Sequence, residues 1–331
     1  MTFEDNFKNF TKTNPQALMK EENIQLIWLQ GQECTGCTIS MLQADFPGLT
    51  DLLLGTIPLV KVNVEYHPTI MLAWGNRALE LIKKPPEKFI LIVEGAIPTK
   101  DNGVHCLMGE IEGKPITLLE YIKNLAPRAL ATIAVGTCAS FGGIPKGSPN
   151  PTAAKGVMDI LGREYRSKLN LPVINIPGCP PHPDWITGTL TNLILFIKGK
   201  AQPPSLDEYN RPLMFFGKSV HESCPRAGYF SEGEFARKFG RRECLLLLGC
   251  KGPDTRGDCP ERKWNGRVSA CPLSGSVCIG CTDPEFPDVM SPFIYYPPKP
   301  VPAFIPPPTL TILLYGYGIK KKLEKKPWER V

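Results

Sequence analysis

Twelve cysteines and one histidine, His221, carry most of the chemistry this chain could do. Cys34-x2-Cys37, Cys138 and Cys179 each lie just beyond an apolar, strand-like run. A denser set follows: His221-x2-Cys224, Cys244-x5-Cys250, Cys259, Cys271 and Cys278-x2-Cys281. Thiolates and imidazole bind soft or borderline metals. Four cysteines suit one tetrahedral zinc ion or the corners of a 4Fe–4S cube. A structural zinc site usually pairs two local CxxC knuckles, whereas the first set is one CxxC plus two distant single cysteines. Eleven cysteines plus His221 make twelve ligands, enough for three four-ligand sites, and histidine can replace cysteine at a cluster. Cys106 is left over and reads as a small buried hydrophobe. Such a ligand set points to electron transport through iron–sulfur centres. The blander reading makes Cys138 and Cys179 inert buried thiols.

Composition supports metal over disulfide. The chain has 331 residues, enough for two domains and a sizeable core. Its hydrophobic fraction of 42% is that of an ordinary soluble protein, and the net charge of +6 is too mild and scattered to call for nucleic acid. The first twenty residues are polar, with no apolar stretch, cleavage pattern or twin arginine. That predicts a cytoplasmic protein whose thiols stay reduced and free for metal.

The ligands must be positioned by the elements before them. Residues 24–29, 88–93, 131–135 and 172–176 are short apolar runs, as strands buried on both faces require, and 60–66 alternates with period two. Helical patterns over about 38–45, 71–83 and 118–125 separate them. Strands alternating with helices predict an α/β domain with a doubly wound parallel sheet. In such sheets ligands gather beyond the carboxyl ends of the strands. Three strands would thus deliver Cys34, Cys37, Cys138 and Cys179 to one edge. Gly31, Gly36, Gly136 and Gly178 beside them allow close backbone approach and amide donation to sulfur.

The character changes near residue 198. The expected organisation is an N-terminal arm over 1–23, an α/β domain over 24–197, a linker over 198–212, a cysteine-rich domain over 213–296 and a tail over 297–331. The cysteine-rich part has too little patterned apolar sequence for an ordinary core and needs staples. Residues 297–308 are proline-rich and should be extended.

Glu33-Cys-Thr-Gly-Cys37, Val135-Gly-Thr-Cys-Ala-Ser-Phe-Gly-Gly143 and Pro177-Gly-Cys-Pro-Pro-His-Pro-Asp184 resemble segments of the nickel–iron hydrogenase small subunit family. So do Gly217-Lys-Ser-Val-His-Glu-Ser-Cys224, Leu248-Gly-Cys-Lys-Gly-Pro253 and Cys278-Ile-Gly-Cys281. The resemblance covers roughly residues 24–293. It implies a flavodoxin-like domain followed by an irregular iron–sulfur domain. It also implies a proximal 4Fe–4S cluster on Cys34, Cys37, Cys138 and Cys179, and a distal 4Fe–4S cluster on His221, Cys224, Cys244 and Cys250. A medial cluster then falls on Cys259, Cys278 and Cys281. The nickel–iron site belongs to an obligate large subunit, no flavin is expected, and heterodimers are expected to associate further. Electrons would pass to an acceptor protein or a quinone-linked partner.

Cys271 departs from the family's commonest pattern, which has proline there and a medial 3Fe–4S cluster. It is either a fourth ligand, giving a medial 4Fe–4S cluster, or an unused thiol. Glu33 is either a proton relay at the subunit interface or an acceptor of backbone N–H bonds at a helix start. Rival functions are an iron–sulfur subunit of a complex-I-like quinone oxidoreductase, which usually lacks the second cysteine-rich region, and a zinc-stapled binding module. The apolar stretch 309–319 with the basic run 320–326 suggests peripheral attachment to the inner face of the membrane. Packing on the large subunit or on a second copy is the other reading.

Overall fold

The computed structural model describes residues 23–287. The arm expected before residue 23 and the proline-rich, apolar and basic tail expected after residue 296 lie outside the described residues.

The first half alternates strand and helix. β1 (Ile24–Gln30), α1 (Gly36–Met41), α2 (Leu49–Leu54), β2 (Val62–Tyr66), α3 (Gly75–Lys83) and β3 (Phe89–Glu94) come first. β4 (Leu107–Ile111) and β5 (Lys114–Thr117) form a small antiparallel hairpin that no sequence pattern signals. Then come α4 (Leu118–Leu125), β6 (Ala131–Val135), α5 (Gly136–Phe141), α6 (Gly143–Lys146), α7 (Val157–Leu161), β7 (Ile174–Ile176) and α8 (Pro183–Ile197).

The five-stranded sheet runs β2-β1-β3-β6-β7, all neighbours parallel. Numbered by order along the chain, that is the 2-1-3-4-5 winding of flavodoxin-like folds, whose switch point lies between the first and third strands. The side-chain period of two splits the strands between two cores. Trp28, Ile90, Ile92, Ile133 and Ile174 pack with Trp185 and Leu190 of α8 on one face. Ile27, Leu29, Leu91, Val93 and Ala134 pack with Leu118 and Ile122 of α4 on the other. The apolar run in β3 is buried throughout, as a central parallel strand demands.

The expected helix at 71–83 begins only at Gly75, and that at 38–45 is shifted to 36–41. The loop after β2 takes up the first residues of the former pattern, and the thiol-bearing loop tightens into α1 in the latter. α8 is apolar nearly all round because it is nearly enclosed. His182 caps it, its Nδ1 accepting from the Asp184 amide at 3.2 Å, with Pro183 at the first helical position.

The second half has only short elements: α9 (Leu213–Phe216), α10 (Ala227–Glu232) and α11 (Cys259–Arg262). Its apolar clusters are small. Phe230, Cys244 and Leu246 form one; Ala236, Leu245, Leu248 and Val277 form another. Polar bonds join this half to the sheet domain. Trp185 Nε1 donates to Asp258 Oδ1 at 2.7 Å, His182 Nε2 lies 2.7 Å from the Lys263 carbonyl, and Arg211 donates to the Thr282 carbonyl at 3.2 Å.

Candidate metal centres

The first thiol group forms at the switch point. The chain leaves β1 at Gln30 and enters α1 through Cys34 and Cys37. Cys138 sits in α5 directly after β6, and Cys179 follows β7 by three residues. All four thiols come within electrostatic reach of one another: Cys34, Cys138 and Cys179 each raise the pKa of Cys37. The expected delivery of four thiols to one sheet edge therefore takes place.

Backbone shape makes room for them. Gly136 has φ +87°, and a Cβ there would stand 2.4 Å from Cys37 Sγ. Gly143, at φ +49°, would put one 2.8 Å from Cys138 Sγ. Any side chain at either place would occupy the thiol's own space.

A buried polar network supports this group, and it was not among the residues singled out from sequence. Glu94, the fully buried last residue of β3, accepts from Trp28 Nε1 at 3.0 Å and Gln30 Nε2 at 3.2 Å. It also accepts from the Cys37 and Thr38 amides, both at 3.1 Å, and from Thr38 Oγ1 at 2.5 Å. It thus takes up the unpaired amides at the start of α1. Behind it, His67 stacks on Trp28 at 5.0 Å and places Nε2 3.4 Å from Thr38 Oγ1. His67 Nδ1 accepts from the Thr69 amide at 3.2 Å, so Nε2 carries the hydrogen and donates to Thr38. Burial pushes the His67 pKa down to about 4, against the upward pull of Glu94. The available signal was a carboxylate ending an otherwise apolar central strand beside the switch point.

Glu33 is not the helix-start acceptor. One of its oxygens accepts from Thr35 Oγ1 at 3.3 Å, while Oε2 is buried without a hydrogen-bond partner. Burial, then the charge of Glu94, raises its pKa.

The second group lines a small pocket in which His221, Cys224, Cys244 and Cys250 meet Arg226 and Pro272. Burial pushes the Cys224 thiol up to about 11 and that of Cys244 to about 12. The Arg226 guanidinium pulls both, and Cys250, back down. The Arg226 amide donates to Cys224 Sγ at 3.4 Å.

The third group bridges the other two. Cys259 feels Cys281 and Cys271, Cys278 feels Cys250, Cys281 and Cys259, and Cys281 feels Cys271 and Cys179. The Cys278 amide donates to Cys250 Sγ at 3.3 Å. The backbone of Cys179 hydrogen-bonds the Cys281 sulfur. Eleven thiols thus form one connected set reaching from Cys37 to Cys244. Cys106 stands apart, half-buried with its Sγ 4.0 Å from the Gln30 carbonyl.

The donor chemistry fits metal–sulfur centres. All twelve cysteines are free thiols. Buried thiols with raised pKa values stay protonated at neutral pH unless a metal takes the proton's place. Among the described residues no three His, Cys, Asp or Glu side chains converge at the spacing of a single bound ion. Backbone amides donate to the sulfurs of Cys224 and Cys250, as at iron–sulfur sites.

Sheet winding and the connected thiols together define the class, an electron-transfer protein built around metal–sulfur centres. Residues 216–294 match the family of the C-terminal region of the NiFe/NiFeSe hydrogenase small subunit, and residues 34–193 match the NADH ubiquinone oxidoreductase, 20 Kd subunit family. The chain is 44% identical over 279 residues to the periplasmic NiFeSe hydrogenase small subunit of Desulfomicrobium baculatum, spanning 81% of this chain and 86% of that one. It is 44% identical over 286 residues to the periplasmic NiFe hydrogenase small subunit 1 of Nitratidesulfovibrio vulgaris, spanning 84% of each. Among solved structures it resembles the actinobacterial-type NiFe-hydrogenase from Ralstonia eutropha H16, with a TM-score of 0.80 at 33% identity over 97% of this chain and 95% of that one. The chain belongs to the nickel–iron hydrogenase small subunit family.

Small subunits of this family carry iron–sulfur clusters, transfer electrons, and act as hydrogenase in a heterodimer with a large subunit. The match to the 20 Kd oxidoreductase family is confined to the sheet domain, and the match over 216–294 separates the two readings in favour of hydrogenase.

The expected location needs correcting. Relatives at 44% identity are periplasmic by name, which overturns the cytoplasmic and inner-membrane-face assignment. The cytoplasmic expectation rested on the first twenty residues, and the membrane-face expectation on the tail over 309–326, which lies outside the described residues. An export address is read by a receptor and leaves no trace in the packing of the mature fold. Among the described residues no helix is long and apolar enough to cross a membrane.

Proposed function

We propose that this chain relays single electrons between the nickel–iron site of its large subunit and an external acceptor through three four-iron clusters. The carrying observation is the connected set of thiols reaching from Cys37 to Cys244. Cys34, Cys37, Cys138 and Cys179 would hold the proximal cluster. Cys259, Cys271, Cys278 and Cys281 would hold the medial one, and His221, Cys224, Cys244 and Cys250 the distal one. When bound, these clusters supply reversible one-electron storage. We assign Cys271 as the fourth medial ligand; it lies within electrostatic reach of Cys259 and Cys281, and of the distal thiol Cys250 as well.

The chain's own residues do the rest. Glu94 anchors the amides of Cys37 and Thr38, and Arg226 holds positive charge beside the distal thiols. Glu33, with one buried unpaired oxygen beside Cys34, would accept and release protons at the boundary between subunits. The large subunit would cover exposed apolar side chains on and just after the thiol-bearing helix α1 and on α6: Ile39, Leu42, Phe46 and Ile144. Electrons run in either direction, according to the acceptor.

The anaerobically purified heterodimer tests this. About 12 iron atoms beyond that of the nickel–iron site, with broad absorbance near roughly 400 nm, are expected. A colourless protein holding zinc would refute it. So would His221→Ala or Cys244→Ser enzyme that keeps all its iron and an unchanged distal EPR signal.

A further inference from the structure

The distal thiol Cys244 is also the root of a charged surface loop. The Ala236 amide donates to the Cys244 carbonyl at 2.8 Å, and the Cys244 amide donates to the Glu234 carbonyl at 3.1 Å. Between these bonds the chain runs Arg237-Lys-Phe-Gly-Arg-Arg242, exposed at every residue. Four cations therefore flank one exposed aromatic residue, Phe239, along the loop. Arg241 pairs with Glu243 at 2.8 Å, whereas Arg237, Lys238 and Arg242 have no ion pair among the described residues. The acids nearby, Glu232 and Glu234, stand at the root of the loop and not at its tip. The loop is held in place: Arg226, whose charge reaches the distal thiols, donates to the Arg241 carbonyl at 2.8 Å and the Glu243 carbonyl at 2.9 Å.

Unpaired charges at this density do not suit a permanent interface, whose core is depleted in charge. They suit a brief encounter, in which complementary charge steers a partner and contact area stays small. The chain's own basic run at 320–326 has the wrong sign to cover them.

We propose that the 237–242 loop is the docking surface for a small, acidic, one-electron carrier protein. It seats that carrier against the distal site, with Phe239 as the exposed apolar residue among its cations. In each encounter one electron leaves the reduced distal centre and enters the oxidised carrier, with no bond made or broken and no proton moved. Two encounters remove the two electrons of one H2, and the reverse flow uses the same surface. The proposal deepens the distal-site reading above and rests on it.

The test uses the active heterodimer under H2 with three acceptors: an acidic plant-type 2Fe–2S ferredoxin, a basic c-type cytochrome and methyl viologen. For ferredoxin, kcat/KM is expected to fall about tenfold or more between roughly 20 and 300 mM NaCl, because salt screens the attraction. The triple variant R237E/K238E/R242E should lose about tenfold or more with ferredoxin at low salt, gain with the cytochrome, and stay within about twofold with methyl viologen. Ferredoxin reduction that ignores both salt and charge reversal overturns the proposal. So does a variant losing equally with all three acceptors. Binding of the native enzyme, but not the variant, to phosphatidylglycerol vesicles without a ferredoxin effect would assign the loop to a lipid surface and also overturn it. The distal EPR signal is recorded throughout. Charge reversal without effect beside an intact signal rejects the docking surface alone. An intact signal in His221→Ala or Cys244→Ser enzyme rejects the ligand reading beneath it.

Discussion

The Thr137 hydroxyl donates to the Cys281 carbonyl, tying the loop after β6 directly to the CxxC of the second half. The same oxygen accepts from the Gly178 amide at 2.8 Å, and the Thr137 amide returns a bond to the Gly178 carbonyl at 3.0 Å. One side chain thus joins segments carrying Cys138, Cys179 and Cys281. Thr137→Val keeps the shape but leaves a buried amide and a carbonyl unpaired. A loss of about 1–3 kcal/mol is expected, measured as a lowered unfolding midpoint of the heterodimer. Thr137→Ser should restore most of it. Equal stability of the valine and native proteins would mean this link carries no weight.

Glu94 accepts five hydrogen bonds and donates none. In Glu94→Gln the new NH2 must face donors whichever way the amide turns. A destabilisation of about 2–4 kcal/mol is expected, together with reduced filling of the proximal site. Thermal unfolding and iron content report the two effects separately.

His67 makes stability depend on pH. Its folded pKa of about 4 lies below the ordinary histidine value near 6.5. Between those values the unfolded chain binds a proton that the folded chain refuses, so stability rises with pH there and is lost on acidification. The loss from pH 7 to pH 5 should be about 2 kcal/mol from this group. Denaturation midpoints of native and His67→Gln heterodimers at the two pH values should differ, with the variant losing less. Parallel losses would show that other groups cause the acid sensitivity.

Cys271 sets the type of medial cluster. With four cysteines a 4Fe–4S cluster is expected, at lower potential than a 3Fe–4S cluster in the same place. Cys271→Pro should produce the oxidised three-iron EPR signal near g of about 2.01. A strong signal of that kind in freshly isolated native enzyme would count against ligation by Cys271.

Without its large subunit this chain should show no hydrogen-dependent dye reduction. It should also aggregate, because Ile39, Leu42, Phe46 and Ile144 stand exposed on and just after α1 and on α6. Expression alone, followed by size-exclusion chromatography and a viologen assay, checks both. A monodisperse, active monomer would contradict the division of labour between subunits.

Much of the fold could be read from the chain. The runs in β1, β3, β6 and β7 are mostly apolar because a parallel sheet covered on both faces buries the side chains of both its faces. Gly136 was similarly visible as punctuation, and at φ +87° it leaves room for the Cys37 sulfur; Gly143, which does the same for Cys138, was not singled out. α8 was harder, because a helix buried all round has no amphipathic period to detect. The β4–β5 hairpin was hidden by its half-exposed, weakly patterned residues.

By itself the sequence determined which groups could bind metal and the strand order along the chain that brings Cys34, Cys138 and Cys179 to one edge. Those are matters of residue type and period, and they are local. Tertiary structure decided which carboxylate does which work: Glu94 reaches α1 across the sheet, leaving one Glu33 oxygen unpaired. It also decided that Cys250, Cys278, Cys281 and Cys179 meet in sequence, joining ligands from both halves into one connected set. Such contacts depend on how two surfaces dock, and no periodicity in either surface specifies the other.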